Sequence, residues 1–189
     1  QQSRIDVSEI GYIKPSGEPA RATLSYDAMS ESTASTFRYQ SEEARFDGDI
    51  ELALNGGLKS LTMREAFLED FMDVSGDIRR EGEASFVSDL NGAFLDVSAF
   101  FGDFGAIGEG AGGLSVPLQL NADLDRLRLR EGLDLDDAEL AFVSDKSGVR
   151  KVTADGQISG SGGKMSAVYT GPTREDAAEI SLKSDDAGY

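Results

Sequence analysis

The chain contains no cysteine and no histidine among its 189 residues. Without cysteine there is no disulfide scaffold, zinc ribbon or thiol chemistry; the compartment stays open, because a periplasmic protein can do without cysteine as easily as a cytosolic one. Without histidine, most catalytic triads, many metal sites and the commonest general base are gone. Long apolar runs are missing too. Nothing approaches the roughly 18–20 residues of a membrane-spanning helix, and no stretch reads as a secretory signal. Positive charge is scarce: 18 Lys and Arg stand against 35 Asp and Glu, for a net charge of −17. No basic stripe is available to neutralise nucleic-acid phosphates, and the same field disfavours docking to an anionic bilayer through a polybasic patch.

What the chain has in quantity is alternation. The 22 glycines sit at turn positions with no period of three, which excludes a collagen-like chain. Between them, apolar residues recur at every second position, most clearly in Leu118-Gln119-Leu120-Asn121-Ala122-Asp123-Leu124, then Leu127-Arg128-Leu129, Leu133-Asp134-Leu135 and Leu140-Ala141-Phe142. Successive strand side chains point to opposite faces, so each run predicts a strand with one apolar and one wet face. The reading along the chain is a strand over 3–13, strands over 20–27 and 34–40, and a hairpin at Asn55-Gly56-Gly57 between Ile50-Leu52-Leu54 and Leu58-Leu61-Met63. Residues 64–71 carry some helical signal but are read as strand connection. A second hairpin turns at Glu81-Gly82. Val97, Phe100, Phe101 and Phe104 recur at three- and four-residue spacing and predict one short amphipathic helix near 97–104, capped by Asp96 or Ser98. About six strands follow, over 115–124, 126–130, 134–144, 149–158, 163–170 and 178–184. Ala122/Leu124 and Leu127/Leu129 fall on opposite parity, so a bulge near Asp125-Arg126 is expected to keep all these apolar residues on one face.

The fold class is therefore mainly β: an antiparallel meander of about ten to twelve strands, curled into an open groove or taco-like sheet, with one short helix. The chain opens on Gln1 and stops at Tyr189, just after Asp185-Asp186-Ala187-Gly188. The expectation is one β-rich domain or fragment over 1–189 of a longer protein, with a candidate sub-boundary in the Gly-rich loop 105–115.

Motifs that could carry chemistry fail on context. Gly108-Glu109-Gly110-Ala111-Gly112-Gly113 matches G-x-G-x-x-G, but a dinucleotide fingerprint follows a strand and opens a helix, whereas here Pro117 and a strand come next. Gly160-Ser161-Gly162-Gly163-Lys164 lacks the Walker glycine at Ile158 and the hydroxyl at Met165, and its Ser161/Lys164 pair lies in a hairpin turn rather than at a helix start. Asp123, Asp125, Asp134, Asp136 and Asp137 alternate with leucines as a solvated strand face and lack the offsets of a calcium loop. Asp185-Asp186 has no identifiable acid–base partner. No cofactor, metal or catalytic residue is assigned, and an enzyme is the weakest reading.

One constellation survives, the apolar face itself. Its candidate lining is Ile50, Leu52, Leu54, Phe86, Leu118, Leu120, Leu124, Leu127, Leu129, Leu140, Phe142, Val152, Ile158, Val168, Ile180 and Leu182. These side chains fit either an ordinary sandwich core or an open trough holding lipid. Moving an acyl chain out of a bilayer costs about 0.8 kcal/mol per CH₂, on the order of 12 kcal/mol for a sixteen-carbon tail. Only a continuous apolar lining offsets that, and ten strands at about 4.8 Å spacing supply roughly 50 Å of it.

The order of segments resembles a known family. Gly48-Asp49-Ile50-Glu51-Leu52 and Gly57-Leu58-Lys59-Ser60-Leu61 are followed by Asn91-Gly92-Ala93-Phe94-Leu95-Asp96-Val97. Then come Pro117–Leu127 and, last, Leu182-Lys183-Ser184-Asp185-Asp186-Ala187-Gly188. This is similar to the AsmA-like proteins of Gram-negative bacteria, in particular the YhdP-type branch, and the similarity is best from about Arg45 onward. The resemblance implies a periplasmic β-rich body tethered to the inner membrane by an N-terminal anchor outside this chain. It further implies a hydrophobic groove that carries phospholipid acyl chains between inner and outer membranes. The alternative is a structural β-sandwich or adhesin-like module without ligand, with or without a stabilising ion.

Overall fold

The computed structural model describes residues 5–7, 12–14, 19–28, 32–82, 85–98, 117–172 and 177–185. Two short strands, β1 (Ile5–Val7) and β2 (Tyr12–Lys14), pair with each other, so the single strand expected over 3–13 instead folds back on itself. All other strands join one eleven-stranded sheet. In chain order they are β3 (Arg21–Ala28), β4 (Ser32–Gln40), β5 (Ala44–Ala53), β6 (Leu58–Leu68), β7 (Met72–Glu81) and β8 (Ser85–Asp96). After them come β9 (Leu118–Arg130), β10 (Leu133–Asp145), β11 (Gly148–Ile158), β12 (Lys164–Thr170) and β13 (Glu179–Ser184). Spatial order follows chain order from β3 to β13, and the sheet is open: neither β3 nor β13 pairs with the other.

Two expectations are corrected. No helical element is described: Ser98 is the one helical residue among the described residues. Val97 and Ser98 follow β8 directly, and the rest of the expected helix, with Phe100, Phe101 and Phe104, lies outside them, as does the loop 105–115. The meander is also not wholly antiparallel, because β8 and β9 run parallel, from Phe86↔Leu118 to Asp96↔Arg128. A parallel pair needs a crossover of a dozen or more residues, which the stretch between Asp96 and Leu118 is long enough to supply. The strands on either side of the Gly-rich loop thus belong to one sheet.

A line of irregularities crosses the sheet at one level. Strand β9 is continuous where two strands were expected. Ala122 and Leu124 are buried, Asp125 and Arg126 are both exposed, and Leu127 and Leu129 are buried again, so the apolar face survives the change of parity. Its partner β10 makes the matching change at Asp136-Asp137, with Asp137 at φ 49°, and the pairing Asp136↔Arg126 and Ala138↔Leu124 stays in step. Against β11 the extra residue of β10 shows as a register shift between Asp136 and Glu139. Shifts of the same kind lie between Met63 and Ala66 of β6, and beside β8 between Asp73 and Val74. Each extra residue bends its strand and raises the local twist. Where the strands crowd, glycine stands: a Cβ on Gly76 would fall against the carbonyl oxygen of Asp89, and one on Gly92 against that of Asp73.

The strands between β8 and β12 carry the densest burial. Leu127, Leu135 and Ala154 are fully buried, and they share one cluster with Ala66, Val74, Leu90, Leu124, Leu140, Val152, Met165 and Tyr169. The sheet coils to achieve this. Leu129 of β9 and Ile180 and Leu182 of β13 border the same apolar cavity of about 100 Å³, although four strand steps in a flat sheet would span about 19 Å.

Candidate functional site

Reading the pairings across the sheet gives rows of residues on a common face. One row runs Leu24, Phe37, Gly48, Met63, Gly76, Leu90, Ala122, Leu140, Ala154, Ala167, Leu182, spanning every strand from β3 to β13. A second on the same face runs Ser35, Ile50, Leu61, Ile78, Ser88, Leu120, Phe142, Val152, Tyr169, Ile180. Beyond it lie Leu52 with Leu58, and Phe86 with Leu118. On the other side of the line of bulges, Ala44, Leu68, Met72, Leu95, Leu127, Leu135 and Ile158 form a further row.

Burial divides this face in two. Toward the β9–β10 turn it is packed, with Leu127 and Leu135 fully buried. Toward the β5–β6 turn it is more accessible: Ile50, Leu52, Leu58, Leu61, Ile78, Phe86, Leu118, Leu120 and Phe142 are all only half-buried. These residues make an apolar track across the sheet. Exposure is greatest at the edges, where Leu24 is 68% exposed, Leu182 56% and Ile180 37%.

Of the sixteen residues expected to line the face, fourteen lie on it by register, and two do not. Leu54 is in the β5–β6 turn, closed by Ala53 N–H donating to Gly57 O at 2.8 Å, and is 74% exposed. Val168 pairs with Thr153 and Ser181, which places it on the opposite, polar face. Met165, Ala167, Val168 and Tyr169 offer apolar residues on both parities, so alternation alone could not assign that strand. Several lining residues were missed: Leu61, Met63, Ala66 and Ile78 on β6 and β7, Leu135 on β10, and Met165 and Tyr169 on β12. On β6 the inward residues are Leu58, Leu61, Met63, Ala66 and Leu68, spaced three, two, three, two. Two register shifts produce that spacing, and it is also why 64–71 carried a helical signal.

The opposite face is polar and cross-linked. Thr36, Asp49, Thr62, Asp77, Asp89, Asn121, Ala141 and Thr153 form a row, polar but for Ala141, directly behind the apolar track. Thr36 donates to Asp49 at 2.7 Å, Thr62 to Asp77 at 2.6 Å and Asn121 to Asp89 at 3.2 Å. Arg64, the extra residue of β6, bridges Asp47 and Asp49, and Arg38 pairs with Asp47 from the other side. The Arg64 guanidinium, then Arg38, holds the Asp47 carboxyl below the usual carboxylate range; Arg64 and then Thr36 do the same for Asp49. Arg45 stacks on Phe67 at 3.9 Å, and Arg128 lies 5.1 Å from the Phe94 ring centroid while donating to Asp134 at 3.1 Å.

Among the described residues no group of three or more Asp and Glu is gathered as a metal site, and no helix is long and apolar enough to cross a membrane. No family model, curated protein or solved structure matches the chain.

Proposed function

We propose that the chain is a segment of a periplasmic AsmA-like protein, anchored in the inner membrane in its full-length form, whose apolar β-groove shields phospholipid acyl chains in transit between the inner and outer membranes. The observation that carries this reading is a row from Ser35 to Ile180 across ten strands of an open sheet, apolar except at Ser35 and Ser88 and half-buried at Ile50, Leu61, Ile78, Leu120 and Phe142. At about 4.8 Å per strand that row is roughly 43 Å long. A tail whose removal from a bilayer costs on the order of 12 kcal/mol needs continuous apolar contact of this kind, and point contacts do not offset that cost.

A photocrosslinker at Leu120 tests the proposal, with Lys151, exposed on the polar face, as the control. Acyl adducts from Leu120 and none from Lys151, with phospholipid retained in native mass spectra and lost on delipidation, are the expected results. Equal labelling at both positions would defeat the proposal.

A second reading, a structural β module without ligand, is favoured by one observation: Leu127, Leu135 and Ala154 are fully buried by the chain's own residues. It expects native mass spectra free of lipid before any delipidation.

A further inference from the structure

The large sheet ends in two strands, each paired on one side among the described residues. Among the described residues β3 pairs only with β4, and β13 only with β12. Ladder bonds alternate along an antiparallel pair, so one bond fixes the orientation of its neighbours. Asp185 N–H donates to Lys164 O at 3.2 Å, which directs Glu179, Ser181 and Lys183 toward β12 and turns the N–H and C=O of Ile180, Leu182 and Ser184 outward. At the other edge Ser41 N–H donates to Ala44 O at 2.8 Å. Odd-numbered residues of β4 therefore bond β5, even-numbered ones bond β3, and Ala22, Leu24 and Tyr26 are left with outward backbone groups. The exposed side chains of Leu24 on one edge and of Ile180 and Leu182 on the other belong to these outward-facing residues.

Strand sense also fits. An eleven-stranded sheet paired antiparallel throughout would have parallel edges; the parallel β8–β9 pair reverses half of it, so β3 and β13 run in opposite directions. We propose that β13 of one copy of this chain pairs antiparallel with β3 of a second copy, with Leu182 opposite Leu24. In that register Ile180 falls opposite position 26, and the apolar row ending at Leu182 continues into the row that begins at Leu24. On the polar face Asp185 stands opposite Arg21, an attractive pair, and Glu179 opposite Asp27, a repulsive one. The two surfaces differ, so the contact is head-to-tail and leaves a free edge at each end for further copies. Each copy carries a net charge of −17, which opposes encounter, so association strengthens as salt screens it. This inference stands independently of the lipid reading.

The absence of native cysteine makes the register testable. A hydrogen-bonded antiparallel pair holds its Cα atoms about 5.5 Å apart, within disulfide range. Leu24→Cys and Leu182→Cys single variants, mixed and oxidised in about 0.5 M salt, are expected to form the mixed dimer well in excess of either homodimer. The double variant should give a ladder of multimers on a non-reducing gel. Homodimers in equal yield, monomers alone, or a disulfide closed within one chain would overturn the proposal. Leu182→Pro removes an outward N–H that bonds nothing in β12, so it should leave the melting temperature nearly unchanged and abolish the salt-promoted species in sedimentation velocity. Persistence of those species in the proline variant, or a wild-type chain monomeric at every salt concentration, would equally overturn it.

Discussion

Leu127 and Leu135 stand opposite each other in the β9–β10 ladder, and both side chains are fully buried. They lie beyond the line of bulges, where the apolar face is fully packed, whereas Leu120 and Phe142, opposite each other in the same ladder, remain half-buried. The same two strands thus contribute both a packed core and an accessible track.

Truncating the core member of this comparison should cost far more than truncating the track. Leu127→Ala removes a fully buried side chain and is expected to destabilise the fold by about 2–5 kcal/mol. Leu120→Ala should cost clearly less, because part of its surface is already in water. Denaturant unfolding of both variants decides the matter; equal losses would show that the two halves of the face are packed alike.

Glycine at the line of bulges should resist substitution for a reason different from glycine in a turn. At Gly132, φ is 76° and an added Cβ meets no neighbouring atom, so Gly132→Ala should cost about 1–2 kcal/mol of backbone strain. Gly92 has ordinary φ, but its Cβ would strike the Asp73 carbonyl and the Val74 backbone, forcing β7 and β8 apart. A larger loss for Gly92→Ala than for Gly132→Ala is expected in thermal unfolding, and the reverse order would refute the crowding argument.

Ser88 is the polar interruption of the track. It is fully buried between Ile78 and Leu120, and its hydroxyl has no hydrogen-bond partner among the described residues. A buried hydroxyl without a partner keeps its desolvation cost, so Ser88→Ala should be neutral or stabilising by about 1 kcal/mol. A clear loss of stability would mean that the hydroxyl is bonded in solution.

The polar face should make the fold acid-sensitive. Asp47 and Asp49 are depressed by Arg64 first of all, and Asp145 by Arg150 and then the Ser147 amide. A carboxylate whose folded value lies below its unfolded 3.8 binds its proton less readily in the fold. Its contribution is therefore complete above pH 3.8 and is lost as pH falls through the lower folded values. Arg64→Met should reduce the loss of stability between about pH 5 and pH 2, measured by denaturant midpoints. An unchanged slope would assign that acid sensitivity to other groups.

Legibility followed regularity. Where alternation is clean, as on each side of the bulge in β9, the face assignment could be made from residue type, and even the parity change at Asp125-Arg126 announced itself because Leu127 and Leu129 resume the pattern. In β6 the extra residues break alternation, so Leu61, Met63 and Ala66 were not recognised as lining. Val168 was misassigned because β12 is apolar on both parities. Leu54 was taken as strand because its spacing continues that of Ile50 and Leu52, whereas the Ala53–Gly57 bond ends β5 one residue earlier.

By itself the sequence determined the β class, the polar outer face and the lack of thiol or imidazole chemistry, since period, charge and composition are local properties of the chain. Only tertiary structure decided that β8 and β9 run parallel, that the sheet stays open at β3 and β13, and which part of the apolar face is packed and which is accessible. Those outcomes depend on pairing and coiling between residues far apart in the chain, and a pattern of period two encodes a face without saying what that face will meet.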